Sequence, residues 1–134
     1  MGLFSNFLAK IKSFLYNNVF LKTGKNSINE QRIYGSIYSF MSESMDDKRA
    51  AETTDIVMDG INDKIKVINR MLTKSELDVS ELSVIFHTLK SYLLYGDFDY
   101  ESDICQDIEI ALRENEEVPT IKCMFDELVK RLKQ

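Results

Sequence analysis

Residues 51–72 constrain the fold more than any other stretch. Ala51, Thr54, Met58, Ile61, Ile65, Ile68 and Leu72 recur at alternating steps of three and four, a period that brings all seven onto one side of a helix. A strand would scatter them over both faces. A stripe that long needs packing partners along its whole length, so its helix has to be the spine of a bundle whose neighbours cross it at a shallow angle. The spacing predicts a helix over about 47–73, on the order of 40 Å long at the standard rise per residue.

The same period recurs on both sides of this spine. Ile33, Tyr34, Ile37, Tyr38 and Met41 mark a helix before it, with Gly35 weakening the middle. After it, the stretch KSELDVSELSVIF offers two capping-box spacings, Asp78 with Glu81 or Ser75 with Asp78. The next stripe is Leu82, Ile85, Phe86, Leu89 and Leu93, and Gly96 beyond it is expected to be a left-handed helix stop. Ile104, Ile108, Ala111 and Leu112 make another stripe; Val118-Pro119-Thr120 then opens a last helix carrying Ile121, Met124, Phe125, Leu128 and Leu132. A helix over Leu3–Leu15 comes ahead of all of these. The expectation is an all-α fold, a compact bundle of five to six helices with a long central helix, forming a single domain over 1–134. Within it, residues 1–21 are a basic amphipathic segment that packs on the bundle or acts separately.

Composition narrows the class. The chain has 134 residues, 44% of them hydrophobic, with one Pro and five Gly, which argues against intrinsic disorder. Its apolar runs stop at about four residues, far below the ~20 of a spanning helix or the ~7 of a secretory core. Cys105 and Cys123 are too few for a disulfide framework, and no Cys/His spacing suits zinc. A reducing cytoplasm is the expected setting, possession of a metal or cofactor is not expected, and the chain is expected to reach no further than the inner face of a membrane.

Charge is distributed unevenly. The net charge is −5, yet the first acid is Glu30, and Lys10, Lys12, Lys22 and Lys25 precede it. Wound as a helix, Leu3, Phe4, Phe7, Leu8, Ile11, Phe14 and Leu15 fall within an arc of about 140°, with Lys10 and Lys12 just outside its edges. That pattern serves a helix packed on the bundle, and it also serves an interfacial helix on an anionic membrane. With Lys, no Arg and a Phe-rich face, the segment is not expected to bind nucleic acid directly. Met1-Gly2 resembles the start of a myristoylation signal, but Asn6 stands where Ser or Thr is wanted.

The opposite extreme lies at 97–117, which holds nine acids and one base, Arg113. The acids at 97, 99, 101 and 103 begin like a calcium loop, but Ser102 replaces its turn glycine and Ile108 its bidentate Glu. Asp97, Phe98, Asp99, Tyr100, Glu101 and Asp103 are the candidate partner-docking residues. They are acids that steer a basic surface, with two aromatics interleaved where a turn makes burial hard. A plain solvated helix face has the same composition. The lone His87, beside Phe86, is expected to be a half-buried core residue, as are Tyr34 and Tyr38. No nucleophile elbow, phosphate loop or dinucleotide fingerprint occurs. The sequence therefore points to a non-enzymatic protein-binding module, a small acidic inhibitor, immunity-type or adaptor protein. Its expected partner is another protein with a basic surface, such as a toxin or a nucleic-acid-handling enzyme.

Overall fold

Three helices begin on an Asx side chain. A computed structural model describes residues 28–134; the helix expected at 3–15, with its membrane-facing candidates, lies outside the described residues. Asn29 opens α1 (Glu30–Ser42) by accepting from the Arg32 N–H at 3.1 Å. Asp46 opens α2 (Asp47–Leu72), accepting from the Arg49 N–H at 2.8 Å. Asp78, not Ser75, opens α3 (Val79–Leu94), accepting from the Glu81 N–H at 3.0 Å. Each side chain satisfies one of the backbone donors that a helix start leaves unpaired. No side-chain hydrogen bond caps α4 (Asp99–Arg113) or α5 (Val118–Lys133). Instead α4 has Asp99 and Glu101 in its first turn, against the positive end of the helix dipole. In α5, Pro119 stands where a missing N–H costs nothing.

The end of α3 differs from expectation. Its left-handed residue is Asp97, with φ of 59°, and not Gly96. The Phe98 N–H donates to the Leu93 carbonyl at 3.1 Å and the Asp97 N–H to the Leu94 carbonyl at 3.3 Å, the paired bonds of a Schellman motif. Gly96 is small for another reason: a Cβ there would come within 2.6 Å of the Phe98 ring and 3.1 Å of Ile37. The end of α4 repeats the motif. Asn115 is left-handed at φ 56°, and the Glu116 N–H reaches the Ala111 carbonyl at 3.0 Å. Asp and Asn tolerate this conformation better than most side chains.

Each helix packs mainly against its neighbours in sequence, α1 on α2, α2 on α3, α3 on α4 and α4 on α5. The described residues are all-helical, with no strand, and the helical stripes predicted over them bury their apolar residues. On α2 the buried set is wider than a two-position seam. Ala50, Val57 and Met71 are buried beside Ala51, Thr54, Met58, Ile61, Ile68 and Leu72, and Ile65 is partly covered. The reason is geometric, since a spine flanked by both α1 and α3 needs a broad apolar face. Gly60 admits one of these neighbours: a Cβ there would lie 2.5 Å from the Tyr92 ring of α3. Phe86 and Phe125 meet edge-on at 5.9 Å deeper in the core.

Tyr34 and Tyr38, expected half-buried, are 2% and 1% exposed and stack at 6.5 Å. The Tyr38 hydroxyl donates to Asp47 Oδ1 at 3.2 Å. Hydrogen bonds also join the two ends of the described chain. The Asn29 N–H donates to the Leu132 carbonyl at 2.7 Å, Asn29 Nδ2 to Gln134 O at 2.9 Å, and Arg32 Nη2 to the Arg131 carbonyl at 2.9 Å. The start of α1 thus supplies donors to carbonyls of the last turn of α5, where a helix end leaves acceptors short of partners. None of the described helices is long and apolar enough to cross a membrane.

Candidate docking face

The six candidate residues separate by helical phase. Asp97 is exposed at the turn, and Asp99, Tyr100 and Asp103 are exposed on α4. Phe98 is 6% exposed and Glu101 8%, which removes both from any docking surface. For Phe98 the cause is the Schellman turn, which folds the residue after the left-handed position back over its helix. The Arg32 guanidinium then covers the ring, 5.2 Å from its centroid. Glu101 faces inward because it lies one turn before the buried Cys105 and two before the buried Ile108. Phe98 therefore cannot be altered without touching the fold: Ala there would cost about 3–5 kcal/mol by the usual scale for a buried ring.

The remaining acids form a more ordered pattern than the sequence list implied. Asp99, Asp103 and Asp107 repeat at steps of four along the exposed side of α4. With Tyr100, Ile110 and Glu114 they span an arc of about 100° around the helix. All six are exposed, Tyr100 at 55% and Ile110 at 36%. None of the four acids is in an ion pair among the described residues. One face of the Tyr100 ring is already covered by the Arg131 guanidinium, 3.6 Å from its centroid. That cation is held in place by Glu127 at 3.6 Å, so the ring presents its other face and its hydroxyl.

His87 is not a core residue. Its side chain is 62% exposed, and Nδ1 lies 3.2 Å from Glu109 Oε1. Glu109 also meets Lys90 Nζ at 3.6 Å. Together with Ser83 and Arg113 these groups line a cleft of about 530 Å³ between α3 and α4. Among the described residues the imidazole's hydrogen bond is to Glu109, and neither Ser80 nor Ser83 of the cleft is bonded to it. Cys105 has no exposed surface, and burial first of all pushes its thiol up to about 12, so it is not a ready nucleophile. No group of three or more His, Cys, Asp or Glu side chains among the described residues is arranged to hold a metal ion.

Sequence reasoning missed two things. It treated 97–103 as a linear patch, whereas the spacing of four from Asp99 through Asp107 already marked one helical row. It also passed over Phe40 and Glu43; the Phe40 ring lies 6.4 Å from that of Tyr95, and only folding brings the two together. In comparisons with known proteins the chain matches no family, no curated protein and no solved structure.

Proposed function

We propose that this protein acts by binding rather than by chemistry, as an acidic inhibitor, immunity-type or adaptor protein whose α4 face docks a basic surface of another protein. The observation that supports this is the row Asp99, Asp103, Asp107 and Glu114, exposed and without ion pairs among the described residues, with Tyr100 and Ile110 between the acids. Like charges one turn apart each weaken a helix by roughly 0.2–0.5 kcal/mol. A face that served only solubility would be better built from alternating signs. A one-signed row instead raises encounter rates with an opposite surface and selects partners by charge, while an aromatic and an aliphatic residue supply contact area once docked. A toxin or a nucleic-acid-handling enzyme carries basic clefts of this kind. The free cysteines suit a reducing compartment such as the cytoplasm.

The test is kinetic. With the partner isolated from the host, Asp99/Asp103/Asp107→Asn should slow association about tenfold at low salt and flatten its salt dependence, with dissociation little changed. Association that is the same for both proteins across a roughly tenfold salt range would show the row to be only a solvated face.

A second reading, attachment to an anionic membrane through residues 1–21, is supported by the charge split alone. The first 29 residues carry four lysines and no acid, while residues 30–134 hold 13 bases and 22 acids. Binding of the full chain to anionic vesicles tests it.

A further inference from the structure

Gly35 sits in the middle of α1, where Gly costs about 1 kcal/mol relative to Ala. Among the described residues nothing lies within 4 Å of the position a Cβ would take. The missing side chain leaves open a groove of about 470 Å³ between α1 and the turn after α3. Gly35, Gly96 and Phe40 are among its lining residues, and Glu43 and Asp97 supply two carboxylates. Phe40 is 37% exposed and is backed by Tyr95 at 6.4 Å. Neither Glu43 nor Asp97 is in an ion pair among the described residues. Among the described residues the cation of the lining, Arg32, is already engaged at its edge, with its guanidinium over Phe98 and Nη2 on the Arg131 carbonyl.

We infer that this groove receives an arginine side chain of the basic partner, which deepens the docking reading above and rests on it. An open slot with an aromatic wall and two carboxylates fits the planar, delocalised guanidinium. Such a group gains from lying on an aromatic ring such as Phe40 and from donating to a carboxylate, Glu43 or Asp97, whereas a lysine ammonium is a strongly hydrated point charge that gains less from the ring. The groove ends at Asp97, two residues before the α4 row begins at Asp99. A partner steered by the row therefore reaches the groove by the same approach.

The probes are hexa-arginine and hexalysine, titrated into the ¹⁵N-labelled full chain at low salt. The inference expects amide shifts centred on Gly35, Ser36, Ser39 and Gly96, about fivefold tighter binding of hexa-arginine than of hexalysine, and loss of both effects in Gly35→Leu. Leu is a better helix former than Gly, so this variant should keep the circular dichroism and melting temperature of the parent. Should Gly35→Leu fold poorly, Glu43→Gln/Asp97→Asn gives the same readout without filling the groove. Shifts confined to Asp99, Asp103 and Asp107 and indifferent to Gly35→Leu would overturn the groove while leaving the α4 reading in place. No shifts with either peptide would overturn both.

Discussion

Glu30 is a buried carboxylate with an incomplete set of partners in the described structure. It is 3% exposed; Oε1 accepts from Asn62 Nδ2, and Oε2 has no hydrogen-bond partner. Burial raises its pKa above the ordinary 4.5, Asn62 and Lys66 pull it partly back, and Asp59 pushes it up. The sign of the linkage follows. Between 4.5 and the raised native value the folded protein holds a proton that the unfolded chain has already released. Stability therefore falls as pH rises through that window, and the full cost remains above it. Asp55, raised chiefly by burial, adds a slope of the same sign. Glu30→Gln should flatten the decline in urea stability as pH rises above the ordinary value of 4.5, without abolishing it, since Asp55 remains. An identical slope in variant and parent would mean that the carboxyl is hydrated in solution.

At the scale of the helices, what was legible in the sequence was periodic. The stripes of α1 to α5 are local patterns, and a buried face imposes them wherever it packs. Phe98 was misread because the acids around it suggested a solvated turn, although an apolar residue just after a helix stop is the mark of a Schellman closure. Gly60 shows the other limit, since its neighbour Tyr92 is remote in the chain and no pattern joins the two. Gly60→Ala should gain up to about 1 kcal/mol of helix propensity, but its methyl would meet a ring at 2.5 Å. The substitution is therefore expected to destabilise the parent and to stabilise Tyr92→Ala, a coupling read from four denaturation curves. Equal effects in the two backgrounds would show that the ring simply swings aside. The arginine groove was illegible for the same reason as Tyr92, being assembled from residues 35–43 and 96–97.

Over the whole molecule, the two functional readings make opposite demands on the same charges. Four lysines precede the first acid, and the remainder of the chain carries 13 bases against 22 acids. Near an anionic surface each basic residue contributes about 1 kcal/mol within a Debye length, roughly 10 Å at 0.1 M salt. The acids that follow are repelled by that surface. If residues 1–21 attach the protein to a membrane, the full chain should bind vesicles containing phosphatidylglycerol at low salt, release as salt rises, and ignore vesicles of phosphatidylcholine alone. Asp99/Asp103/Asp107→Asn should then bind those vesicles a few-fold more tightly, because the body is repelled less. In the docking reading the same substitution weakens partner association. One variant measured in two assays thus separates the hypotheses by sign. Full-length protein that stays in solution with anionic vesicles at low salt would sink the membrane reading, and tighter partner association by the neutralised variant would sink the other.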